Sequence, residues 1–208
     1  MKSFIIVVLI VYPLDSILAG SNYQKKLDSS IRKLKNYNSD SLISDFFYCV
    51  MTDSVFPDWI GTKWDFNGIS NTPGKGMIAC GYFVSTTLKH IGFNLNRYKL
   101  AQQAAYTVID VLCGDKKMKS VLEADIIYKI KSRGNNRLYV VGLDYHVGFL
   151  AVENNTVYFI HSDYLNGKVV CEKASESISF SNTNAYVYGE LTNNNSLFTK
   201  WRNGIKIY

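Results

Sequence analysis

The 208-residue chain is 47% hydrophobic and 19% charged, with a formal charge of +6. Those proportions exclude a disordered chain and are enough to bury one core without disulfide staples. The lysines are scattered and no basic block recurs with aromatics, so nucleic acid is not an expected partner.

Lys2 is followed by an unbroken apolar run, Phe4 to Tyr12, then by Pro13 and the small residues Ala19 and Gly20. That layout predicts an export signal over 1–20, removed from a secreted or periplasmic protein. The run is shorter than the roughly 20 apolar residues that span a bilayer, so no stable membrane insertion is expected after removal. Removal takes one Lys and one Asp, leaving the charge at +6. An exported basic chain meets anionic surroundings. Of the four cysteines, Cys49, Cys80, Cys113 and Cys171, no two form a CxxC pair, so no zinc site is expected. With Cys80 reserved as a thiol, at most one disulfide could join the other three.

Two helices are predicted over Asn22 to Val50, with a turn at Asn36 to Asp40, because Leu27, Ile31 and Leu34, then Ile43 and Phe47, keep helical spacing. They form an N-terminal extension over 21–55. Phe56 to Gly76 is expected to be irregular, its Trp59, Trp64 and Phe66 packing against a groove or core. Helices follow over Ile78 to Ile91, Tyr98 to Leu112 and Met118 to Ile130. The period then changes to two, which predicts strands over Leu138 to Leu143, His146 to Val152, Val157 to Ser162, Val169 to Glu172 and Ala185 to Leu191. Trp201 to Tyr208 is expected as an edge strand. Helices first and strands second give an α+β fold, with helices packed on an antiparallel sheet.

Cys80 follows a Gly-rich loop at the predicted start of a helix, in Ala79-Cys80-Gly81-Tyr82. A helix start favours a thiolate and offers free N–H groups to an oxyanion. Glycines beside it would let a substrate backbone approach. His146 opens one strand and His161 closes the next, with Asn154-Asn155 as a two-residue hairpin loop between them. In that register Gly148 faces His161 and His146 faces Asp163, so all four share one sheet face. A helix would present Cys80 and the sheet His146 as its base, while His161 or Asp163 orients the imidazole. His90 is expected only near its helix's C-terminal end.

Gly61-Thr62-Lys63-Trp64, Ala79-Cys80-Gly81-Tyr82-Phe83-Val84, His146-Val147-Gly148-Phe149 and Phe159-Ile160-His161 together resemble the NlpC/P60 family, papain-like cysteine hydrolases related to CHAP amidases. The resemblance spans Gly61 to Asp163. It implies Cys80 as nucleophile, His146 as base and His161 as orienting residue, within a hydrolase domain over 56–208. It also implies cleavage of amide bonds in cell-wall (peptidoglycan) peptides, often beside a D-amino acid, without a cofactor. Trp64 and Asp65 stand where the family places an aromatic residue along the substrate cleft. Where the family carries Asp-Cys-Ser-Gly, this chain has Ala79-Cys80-Gly81-Tyr82. Two other functions fit the same residues: a non-catalytic wall-binding module, and a transglutaminase-like or acyltransferase enzyme. If the hydrolase acted as a toxin on neighbouring cells, an immunity or inhibitor protein would be its partner.

Overall fold

The computed structural model describes residues 15–37 and 39–208, with side chains from Tyr23 onward. The apolar run expected to direct export lies outside the described residues. Among these residues no helix is long and apolar enough to cross a membrane.

The chain is α+β. Helices α1 (Asp15–Lys35) and α2 (Asp40–Val50) come first, as their apolar spacing predicts. Correcting the irregular segment expected from Phe56, α2 runs through a π-helical turn, Met51–Val55, into α3 (Phe56–Trp59). Burial of Val55, Phe56 and Trp59 drives that continuation. Helix α4 (Cys80–His90) follows as expected. The single helix expected over Tyr98 to Leu112 is two, α5 (Arg97–Ala101) and α6 (Ala105–Cys113). Asn96 caps α5 through its side chain, which accepts from the Tyr98 and Lys99 amides.

The helix expected from Met118 is instead strand β1 (Met118–Ser120) and then α7 (Glu123–Lys131). Met118 pairs with Tyr188, so the sheet supplies this backbone's hydrogen bonds. The remaining elements are β2 (Arg137–Gly142), β3 (Val147–Glu153), β4 (Thr156–Asp163), β5 (Lys168–Lys173), α8 (Ile178–Ser181), β6 (Tyr186–Glu190) and α9 (Asn195–Arg202). Where an edge strand was expected from Trp201, α9 runs through Arg202. Its cap Asn194 accepts from the Leu197 amide, Leu197, Phe198 and Trp201 are buried, and Trp201 Nε1 donates to the Ile91 carbonyl. Those contacts outweigh β-pairing.

The six strands form one antiparallel sheet in the order β1-β6-β2-β3-β4-β5. One face carries Val140, Phe149 and Ile160 against Phe83 and Val84 of α4, in a core that also includes Leu27 and Phe47. Helices α1 and α2 therefore share this core with the sheet. The opposite face carries Leu150, Phe159 and Tyr188 against Ile126 and Ile130 of α7 and Phe180 of α8.

Candidate active site

The β3–β4 hairpin has the register its sequence predicts. Glu153 pairs with Thr156 and Phe149 with Ile160. Asn154 and Asn155 take φ of 47° and 58°, the left-handed pair that a tight hairpin needs and asparagine tolerates. His146 and His161 consequently meet: His146 Nε2 lies 2.8 Å from His161 Nδ1. Gly148 makes the space. A Cβ there would lie 2.9 Å from the His161 Cβ and 2.6 Å from Phe159 Cε2. The His161 ring stacks on Phe159, centroids 3.9 Å apart.

Glu172, on β5, was not among the residues expected at the site. Its Oε1 lies 3.1 Å from His161 Nε2. A carboxylate only accepts, so His161 Nε2 carries the proton and donates it to Glu172. In neutral His161, Nδ1 is then the acceptor, and His146 Nε2–H donates to it. His146 is left with a free lone pair on Nδ1. That nitrogen has no partner among the described residues and is not sealed from solvent. The signal that could have revealed Glu172 is Asn166-Gly167. A turn closing there, with Gly167 at φ 65°, pairs Asp163 with Lys168 and His161 with Val170, bringing Glu172 diagonally beside His161.

Asp163, the alternative orienting residue, does other work. Its carboxylate accepts from Ser179 Oγ at 2.6 Å and from the Asn166 backbone and side-chain N–H groups at 2.9 and 2.7 Å. It stands 3.9 Å from His161 Nδ1, beyond a hydrogen bond. Burial opposes its charge, but the bonds from Ser179 and Asn166 keep its carboxyl below the usual range. It holds the β4–β5 loop that carries Tyr164.

Cys80 is the first residue of α4, as expected. The Ala79 amide donates to the Gly68 carbonyl, and Ser162 Oγ to the Ile78 carbonyl at 2.6 Å, so the segment entering the helix is fixed from both sides. The first amide bonded within this turn is Phe83, to Ala79 O. The N–H groups of Cys80 and Gly81 thus have no helical acceptor, and with that of Val147 they favour a negative charge on the thiol. Burial outweighs them and pushes the thiol pKa up, which corrects the net lowering expected from the helix start alone.

Gly81 is also reassigned. A Cβ on it would collide with the Ala101 carbonyl, so its missing side chain admits α5 rather than a substrate backbone.

Helix α4 packs chiefly on the sheet face opposite the two histidines. Its first residue meets them at the sheet's end. Cys80 and His146 line one cavity of about 830 Å³, and Val147, next in the chain to His146, turns its N–H toward the thiol. Among the described residues no hydrogen bond joins the Cys80 sulfur to the imidazole. Burial, then the neighbouring His161, lowers the His146 pKa, and burial lowers that of His161; Asp163 opposes both shifts. Thiol and imidazoles are therefore all neutral at rest near pH 7.

Trp64 lines the cavity, as anticipated, beside Tyr164 with ring centroids 6.3 Å apart. The Trp64 amide donates to the Gly167 carbonyl, which seats this loop along β5. Phe66 lines it too, whereas Trp59 belongs to the core, donating to the Tyr23 hydroxyl. Asp65 does not line it. Its Oδ1 accepts from the Asn67 amide at 2.8 Å and shapes the turn.

His90 Nδ1 bonds the Tyr23 hydroxyl and Nε2 bonds Asn71, away from the cavity. All four cysteines are free thiols. No cluster of three or more His, Cys, Asp or Glu among the described residues could hold a metal ion.

Comparison with protein-family models, with curated proteins and with solved structures finds no match for this chain.

Proposed function

We propose that this chain is a secreted, papain-like cysteine hydrolase that cleaves amide bonds in cell-wall peptides, with Cys80 as nucleophile and His146 as general base. The supporting observation is the Glu172–His161–His146 hydrogen-bond chain. It fixes one imidazole tautomer and leaves Nδ1 unpaired on His146, a residue that lines the same cavity as Cys80.

In this mechanism the Cys80 thiol loses its proton to His146 Nδ1 as the sulfur bonds to the amide carbonyl carbon. The oxyanion takes up hydrogen bonds from helix-start N–H groups, among them Cys80 N–H. His146 then passes the proton to the amide nitrogen, the C–N bond breaks and the amine leaves. Water, deprotonated by His146, attacks the thioester and releases the acid and the thiol. The imidazolium formed in each half is stabilised by His161, whose own N–H is anchored on Glu172. Because thiol and imidazole start neutral, proton transfer accompanies attack and no standing ion pair precedes it.

The test is digestion of purified peptidoglycan by the protein and by Cys80→Ala, with released fragments identified by mass spectrometry. Fragments made only by the unsubstituted chain are expected, and their ends identify the bond. No difference between the two overturns the proposal.

A further inference from the structure

The cavity around Cys80 is rich in aromatics and carries no formal charge. Trp64, Phe66, Tyr82, Tyr145 and Tyr164 line it, with the amides of Asn67, Gln102, Gln103 and Asn182 between them. Among the described residues, no Asp, Glu, Lys or Arg contributes to the lining. Three carboxylates next to the lining in the chain are committed elsewhere, while Lys63, beside Trp64, is exposed. Asp65 caps the Asn67 amide. Asp144 accepts from the backbone and side chain of Asn184 at 2.8 and 2.7 Å. Asp163 is held by Ser179 and Asn166. The buried Arg97 guanidinium donates to the Ile69 and Ser70 carbonyls, Thr86 Oγ1 and the Tyr98 hydroxyl. At the rim, Tyr145 is 99% and Phe66 79% exposed, so large apolar rings stand in water beside the thiol.

Building on the hydrolase reading, we infer that the cleft takes a neutral acyl group with an aromatic or aliphatic side chain, and selects against charged groups beside the scissile bond. A carboxylate or ammonium entering here would shed water without meeting a counter-charge in the lining. An apolar side chain would cover the rim rings and gain from their burial. The amides can hydrogen-bond the flanking peptide groups without adding charge. In a wall peptide, this favours uncharged stretches over positions beside free carboxylates.

The inference is tested by mixed-disulfide formation at Cys80 with four methanethiosulfonates: methyl, benzyl, sulfonatoethyl and trimethylammonioethyl. In each case the thiolate displaces a sulfinate and one S–S bond forms. Modification of Cys80 is followed by peptide mapping, and each rate is divided by that for free N-acetylcysteine amide, which cancels intrinsic reagent reactivity. The benzyl reagent is expected to gain at least about tenfold over methyl at Cys80, and both charged reagents to fall below methyl. Phe66→Ala with Tyr145→Ala, at exposed positions that leave the fold intact, should lower the benzyl-to-methyl ratio severalfold. A charged reagent favoured over methyl, or a benzyl preference that survives the double substitution, overturns the inference while leaving Cys80 a reactive thiol. A Cys80 that none of the four reagents modifies overturns the hydrolase reading itself.

Discussion

Two histidine corners of this molecule both have a lowered imidazole pKa and differ in what their nitrogens do. At the His90 corner, under α1, burial lowers the imidazole pKa to about 4, with Arg97 and Lys89 adding to it. Both ring nitrogens are spent, on Tyr23 and Asn71. At the His146 corner burial also lowers the pKa, but only Nε2 is spent, and the residue lines the cavity. A depressed pKa therefore does not mark a base by itself. An unpaired ring nitrogen on a residue that shares a cavity with a thiol makes the stronger candidate.

The largest test of that contrast is at the nucleophile. Cys80→Ala should lower peptide release by at least about a thousandfold, with the thermal midpoint nearly unchanged. Equal turnover by both proteins would remove the functional meaning of the His146 corner. Next, His146→Ala should lower turnover by about 10²–10⁴-fold. His90→Ala should keep turnover within about twofold while destabilising the chain by about 1–3 kcal/mol, since Tyr23 and Asn71 lose a partner. The same assays with a denaturant titration separate the two outcomes, and a large activity loss in His90→Ala would erase the distinction.

A smaller effect is expected at Glu172. Glu172→Gln retains an acceptor for His161 Nε2–H but removes the charge behind the developing imidazolium, so kcat should fall by about ten- to a hundredfold with KM little changed. A fall in stability with unaltered kcat would make Glu172 structural only.

A separate effect, read in stability rather than in rate, is on pH dependence. His90, His146 and His161 all have folded pKa values below the ordinary 6.5. As the pH falls below about 6.5 the unfolded chain binds protons that the folded chain refuses, so folding stability declines. The full contribution is present above that pH and is lost as the pH drops toward the folded values, near 4 for His90. Each imidazole adds at most about 1.4 kcal/mol per pH unit in this window. Urea midpoints between pH 7 and 5 measure the decline. His90→Gln should flatten it by one imidazole's share while Cys80→Ala leaves it unchanged.

Much of this site was legible in the chain itself. The helix start at Cys80 follows from the loop before it and the apolar spacing after it. The meeting of His146 with His161 follows from a two-residue Asn-Asn loop, because strand alternation then allows only one set of facing residues. Other features depend on partners far away in sequence. That His161 rather than Asp163 hydrogen-bonds His146 depends on Ser179 and Asn166, which take up the carboxylate.

By itself, the sequence determined an α+β chain, most of its elements, the hairpin register and the pairing of two histidines. Each of these rests on interactions between near neighbours, whose spacing is written directly in the residue order. Only the tertiary structure decided that Glu172 completes the hydrogen-bond chain, that Gly81 makes room for α5 and that Trp59 belongs to the core. It also decided that burial outweighs the helix start at the thiol, and that the Asp65, Asp144 and Asp163 carboxylates beside the cleft are taken up by other partners. Desolvation and the closing of polar groups onto distant partners depend on which surfaces meet, and local periodicity does not encode that.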